Sequence, residues 1–297
     1  MTTEATTTDE VTEIETSGYA RVEYRRLATT TFVRYLPLLI LAAIWEASSR
    51  LGLVSTLALP PLDTVITSWF SLLVPSNPAP ATAAGLSGAL TWIGWALSGD
   101  LITNGADSLW RLSAGLAMAI SIGTAIGVLM AWYKPFDIMM NPIVQVFYPM
   151  PKSALIPVTV LWLGFGHWSK IVLIFIGCML PVTLSAYNGA RGTEQFLVWS
   201  ARSMGASRRR TLIEVVLPSA LPEIMSGIRT ALALSFILMV ASELIVARSG
   251  LGYMVGWLGD GGVYDAMFAV VLTISALGFA ADRGYLMLMK RVLSWRE

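Results

Sequence analysis

Residues 192–222 read GTEQFLVWSARSMGASRRRTLIEVVLPSALP and lie between two long apolar runs. Residues 196–204 have the composition of a short helix, and Gly205 suits the C′ position, where a chain leaves a helix in the left-handed region. Ser207 suits the N-cap of a second helix, which runs on to Pro218 and Pro222. A helix, a glycine elbow and a second helix make a rigid projection. Placed between two membrane-length runs, it indicates a chain that crosses a bilayer several times.

Composition agrees. Of 297 residues, 55% are hydrophobic and only 13% charged, where a soluble domain carries about 25% charged residues. Mean hydropathy is +0.66. A net charge of +1 gives no reason to expect a nucleic-acid partner. The single cysteine, Cys178, has no internal disulfide partner. With His167 as the one histidine, ordinary metal sites and Cys/His catalysis are not expected.

A crossing needs about 20 apolar residues. Six stretches meet this: 35–54, 106–132, 138–163, 169–190, 221–246 and 264–288. They predict an all-α membrane protein of about six spans, occupying residues 35–297. Residues 1–34 read as a disordered tail, acidic first and basic just before the first span; residues 1–17 lack the basic start of a signal peptide. Residues 79–97 are mildly apolar and fit a seventh span, a re-entrant piece or a surface helix, the last preferred. Charge sets the orientation. No Lys or Arg occurs between Leu51 and Trp110, whereas basic residues gather in the tail, at Lys134, in 191–210 and at Lys290, Arg291 and Arg296. Six spans put all these clusters, and both termini, on the cytoplasmic side.

The projection resembles the coupling-loop signature of permeases in bacterial ABC importers, a glycine, nine residues, then aliphatic–x–Leu–Pro. Here Gly205 is followed by residues 206–214 and then Val215, Val216, Leu217 and Pro218. Pro151–Lys152, the run LWLGFG at 161–166, Ser169–Lys170–Ile171, Gly227–Ile228–Arg229, Ser242–Glu243–Leu244 and Ser249–Gly250–Leu251–Gly252–Tyr253 continue the likeness. Together they resemble the nitrate/sulfonate/taurine branch of the binding-protein-dependent inner-membrane components, over roughly residues 36–291.

The resemblance implies a bacterial cytoplasmic-membrane permease, acting as a homodimer in membrane lipid. It implies two ATPase subunits that hold the ATP and Mg2+, and an extracytoplasmic substrate-binding protein. No cofactor is expected on this chain, which has no Walker-type glycine–lysine loop. The residues expected to meet the ATPase are Glu194, Trp199, Ser200, Ala201, Met204, Gly205, Ala206, Ser207, Leu217 and Pro218. One departure stands out. The family signature opens with Glu–Ala–Ala six residues before the glycine, and here Trp199, Ser200 and Ala201 occupy those places. Glu194 is the nearest preceding acid, at a different spacing. The implied cargo is a small anion such as a sulfonate, taurine or nitrate.

Charges within spans are costly and often mark a pathway. Arg111, Lys152 and Glu243 are the candidates for it. Asp107 stands one turn before Arg111, so a local pair is available. Lys152 lies in YPMPKSALIP, where prolines break the helix, and either lines the pathway or pairs with a neighbouring span. Glu243 precedes a glycine-rich stretch that fits a gate or the seat of the binding protein. Arg229, Asp282 and Arg283 are expected to reach for the membrane surface, and His167 to be plain polar surface. Gly123 and Gly127 suggest close helix packing. Two other classes compete with this reading. A secondary transporter predicts inverted repeats and a buried ion site, and neither is evident. A membrane enzyme needs clustered catalytic side chains, and the one histidine is isolated.

Overall fold

The computed structural model describes residues 35–77 and 86–296; the expected tail at 1–34 lies outside them. The regular elements among them are all helical. They divide into two compact units, one up to Thr64 and one from Val65 onward.

In the first unit, helix α1 runs over residues 35–50. The chain after it folds back along its end. Trp45 Nε1 donates to Pro60 O at 2.8 Å and Ser49 Oγ to Leu59 O at 2.8 Å. Glu46 accepts from Leu62 N–H at 2.9 Å and pairs with Arg50. Helix α2, Leu62–Leu73, begins at the end of this unit, belongs mostly to the second, and falls in a stretch that the sequence presents only as a connection.

The second unit is built on three long helices: α4 (Asp100–Trp132), α7 (His167–Arg191) and α10 (Leu217–Val246). Helix α7 is the most enclosed of the candidate spans. Glycines let its neighbours approach. A Cβ on Gly115 would lie 2.8 Å from Ile171 O, and one on Gly123 2.9 Å from Met179 O. Gly127 is tighter still against Thr183 O, so the expected glycine seam extends over three turns of α4. Ile174, Cys178, Val182 and Ala186 of α7 bury against Leu116, Ala119, Ile228 and Ala231.

The stretch expected as one span over 138–163 is broken. Helix α5 (Lys134–Phe147) ends, and a 3-10 turn (Lys152–Leu155) leads into α6 (Ile156–Leu163), with a bend of 95° between the two halves. Pro149 and Pro151 remove backbone donors there, and Pro151 is extended.

Helix α12 (Tyr264–Val292) completes the unit after the short α11 (Leu251–Asp260). Helix α3, Leu86–Ala96, has 11 residues and spans only about 16 Å at 1.5 Å per residue, too short to cross the bilayer core; residues 78–85 lie outside the description. Among the described residues, four helices are long and apolar enough to cross a membrane, and the bent pair raises this to five. The expected sixth, α1, is described only from residue 35.

Candidate functional site

At one end of the bundle, α8 (Gln195–Ser203) follows α7, and α9 (Arg208–Thr211) precedes α10. Between them Gly205 sits at φ +88°, with open space where a side chain would point. Ala206 N–H donates to Ala201 O at 3.0 Å and Gly205 N–H to Arg202 O at 2.9 Å, closing the end of α8. Ser207 caps α9 by accepting from Arg210 N–H at 3.3 Å. The elbow therefore has the conformation that its glycine and serine specify.

A π-helical turn, Leu212–Val216, joins α9 to α10, and Leu217 N–H reaches back five residues to Leu212 O. Pro218 supplies the reason. It has no N–H for Glu214 O, and its ring crowds that carbonyl, so the turn widens.

At 100° per residue, α8 presents two faces. Val198 packs on the core and Ala201 is buried. The signature groups Ala201 with the docking residues, but its side chain points inward. Phe196 and Trp199 are 71% and 64% exposed, and Met204 at the elbow is 82% exposed. Arg202 and Arg208 lie 5.8 and 5.7 Å from the Trp132 ring centre, and Arg208 also donates to Trp132 O at 3.1 Å. Glu194, at the N-cap position of α8, and Pro218 line an open groove of about 580 Å³ together with Glu214 and Trp295. Leu217 packs on the core. Glu194 is thus separated from the outward face of α8, beside Leu197 rather than Trp199.

The opposite end of the bundle holds a polar knot. Arg111 of α4 is 3% exposed and Glu243 of α10 is 1% exposed; they pair at 2.6 Å. Glu243 also accepts from Ser108 Oγ at 2.7 Å and from Gly252 N–H at 3.0 Å. Ser108 in turn accepts from Leu251 N–H at 2.8 Å. The start of α11 is therefore held by the carboxylate, as the positive end of a helix dipole favours. Arg111 further donates to Ser249 O at 2.7 Å and to His167 Nδ1 at 3.0 Å.

Two readings change here. The Asp107–Arg111 contact exists, at 3.3 Å, but the buried partner of Arg111 is Glu243. His167 is not idle surface, because it receives the Arg111 Nε–H. Lys170, not a candidate site residue from sequence, is 2% exposed. Its Nζ donates to Phe165 O at 2.5 Å, Gly166 O at 3.2 Å and Val246 O at 3.2 Å, tying the last turn of α10 to the start of α7. The signal that could have found it is a lysine inside an apolar run.

Lys152 stands apart from this knot, at the break between α5 and α6. It is half-buried, donates to Tyr148 O and lies 5.5 Å from the Tyr148 ring centre. Arg229 and Asp282, expected to reach separately for the surface, instead join α10 to α12 through two hydrogen bonds of 2.7 and 3.0 Å.

A glycine-packed bundle of membrane-length helices with a capped elbow between two of them defines a helical membrane protein. Comparison with known proteins agrees. The family model for the binding-protein-dependent transport system inner membrane component matches residues 123–294. The taurine transport system permease protein TauC of Escherichia coli K12 is 32% identical over 258 residues, 87% of each chain. The putative aliphatic sulfonates transport permease protein SsuC of Bacillus subtilis 168 is 30% identical over 258 residues, 87% of this chain and 85% of that one. In solved structures of the MetNI methionine ABC transporter in inward-facing conformations, one chain aligns with a TM-score of 0.57 at 21% identity, covering 65% of this chain and 96% of that one; this likeness concerns the fold.

The chain belongs to the binding-protein-dependent inner-membrane component family. It is a permease subunit of an ABC transport system, a transport component rather than an enzyme. The family implies an ATPase partner that uses ATP and Mg2+, and a substrate-binding protein.

Proposed function

We propose that this permease imports a small organic sulfonate of the taurine or alkanesulfonate kind, and that the α8–Gly205–α9 elbow is where the ATPase docks. The observation that carries the substrate is the similarity to a taurine permease, 32% identical over 87% of each chain. Lys152 supports it, because its described partners are uncharged carbonyls and a ring, leaving its positive charge for a passing anion. The break that holds Lys152 also suits a pathway, since irregular backbone at membrane depth is tolerated where it is buried in protein or lines a cavity. Arg111 and Glu243 neutralise each other and act as a clamp rather than a binding site.

Two copies form the pathway, with the elbows and both termini on the cytoplasmic side and α1 as a further span. Helix α12 is the least buried of the membrane-length helices within the chain, which leaves face for lipid and a second copy. Two ATPase subunits move the elbows, and the rigid caps pass that motion into α7 and α10.

The test uses vesicles holding the permease, its ATPase and its binding protein. ATP drives uptake of labelled taurine or alkanesulfonate, Lys152→Met lowers it about tenfold or more, by analogy with loss of a charge-assisted contact, and Lys152→Arg keeps most of it. Uptake of solutes that lack a sulfonate, in place of sulfonates, overturns the substrate, and undiminished uptake by Lys152→Met overturns the role of the lysine. Gly205→Val stops uptake while the protein stays in the membrane; normal docking and transport in that variant overturn the elbow assignment. ATP-independent uptake would favour a secondary transporter.

A further inference from the structure

The arc of α8 that holds Phe196 and Trp199 carries no charge, and Arg202, exposed at its edge, leans over Trp132. Phe196, Trp199, Ser200 and Ser203 fall within one arc of about 100° on the helical wheel, and Met204 extends that face to the elbow. Three large apolar side chains, all more than half exposed, stand on a short helix whose other side is fixed to the core. The helix is capped at both ends of the elbow, so the face is presented in one orientation before any partner arrives.

Three of the four arginines near the elbow are engaged elsewhere, and Arg209 stands exposed. Arg202 and Arg208 fold across Trp132, and Arg208 lies 4.9 Å from the Tyr133 ring centre. Arg210 pairs with Glu214 at 2.8 Å. An interfacial membrane helix instead puts Lys and Arg beside its apolar face, where they meet anionic headgroups. Here the flanking hydroxyls Ser200 and Ser203 are neutral, and Arg202 and Arg208 turn back over an aromatic ring. That arrangement suits a protein groove better than a lipid surface.

We propose that Trp199, with Phe196 and Met204 beside it, is the anchor by which this permease holds its ATPase, seated in an apolar groove of that subunit. The inference rests on the elbow as the docking site and adds the chemistry of the contact. Buried aromatic anchors dominate many interfaces, with Trp among the most enriched residues. The partner groove accordingly lacks a basic residue facing Trp199, and the contact is insensitive to salt.

The experiment isolates the permease in detergent with its ATPase subunit and measures the ATPase retained. Trp199→Ala lowers the apparent affinity by at least about tenfold, Trp199→Phe restores most of it, and Phe196→Ala weakens it less. For the unaltered protein, retention changes little between about 0.1 M and about 1 M salt, over which the Debye length falls from about 10 Å to about 3 Å. Loss of docking on raising salt, or full retention by Trp199→Ala, overturns the anchor. If Gly205→Val fails to dock while Trp199→Ala docks normally, the elbow assignment survives and the anchor falls. If both dock normally, the elbow assignment falls as well.

A second measurement separates lipid from protein. Cys178, the one native cysteine, is buried, so a cysteine placed by Ser203→Cys is the reactive one. It is labelled freely in vesicles holding the permease alone and protected when the ATPase is added. Protection by the vesicle alone assigns the face to the membrane and overturns the proposal.

Discussion

Arg111 of α4 and Glu243 of α10 meet at 2.6 Å across 132 residues of sequence, and both are almost wholly enclosed. A buried pair of this kind costs desolvation as well as gaining attraction, so its removal as a unit is milder than its breakage. Arg111→Met or Glu243→Leu alone leaves one charge uncompensated and destabilises the protein by about 3–5 kcal/mol. The double variant Arg111→Met with Glu243→Leu recovers much of that loss. Thermal unfolding of the four proteins in one detergent measures the coupling; strict additivity of the two single effects would sink this account.

The same carboxylate constrains the backbone beside it. Gly250 sits at φ +114°, and a Cβ there would lie 2.5 Å from both Glu243 carboxylate oxygens. Gly250→Ala therefore combines left-handed strain with displacement of the clamp and costs more than about 2 kcal/mol. Gly166→Ala has nothing within 4 Å and an ordinary φ, so its melting temperature stays near that of the parent. Equal effects at the two positions would refute the reading.

Not all helical glycines serve packing. Gly127→Val forces α4 away from the Thr183 backbone and lowers stability and membrane yield. Gly284 lies inside α12 with nothing within 4 Å, and Gly284→Ala stabilises by about 0.5–1 kcal/mol through helix propensity. Unfolding midpoints distinguish the two; a stabilising Gly127→Val is the result that contradicts close packing.

Arg229 and Asp282 bind through both carboxylate oxygens but are partly exposed, so geometry matters more than burial. Replacing either by the other's charge lowers transport and stability. Exchanging both, Arg229→Asp with Asp282→Arg, restores a substantial part of each. Failure of the exchange, with both single variants impaired, would show that one residue acts outside the pair.

Local chemistry is legible in the sequence, and long-range pairing is not. The elbow depends on Gly205 and Ser207, whose backbone preferences act within a few residues, so its helices and caps follow from the string alone. The knot joins residues near 108, 167, 243 and 251, and from sequence only the one-turn neighbour Asp107 is visible to Arg111. His167 and Lys170 escape for the same reason: their partners come from helices brought together by packing. The prolines at 149 and 151 announce a break, but not that it bends the chain through 95°. That Ala201 faces inward is not legible either, because a nine-residue helix shows which face is inward only once it has a core to lean on.

The wide turn at Leu212–Val216 also settles a question of phase. Thr211 and Val216 are both buried although five residues separate them, and Ala220, four residues further, is buried too. In an unbroken α-helix five residues advance about 500°, which puts the first two some 140° apart. The extra residue in the loop of the π turn absorbs that error, so the inward stripe of α9 continues into α10 without twisting. The joint is therefore a keyed spline: shortening it by one residue would rotate the elbow against the span while every cap stayed intact.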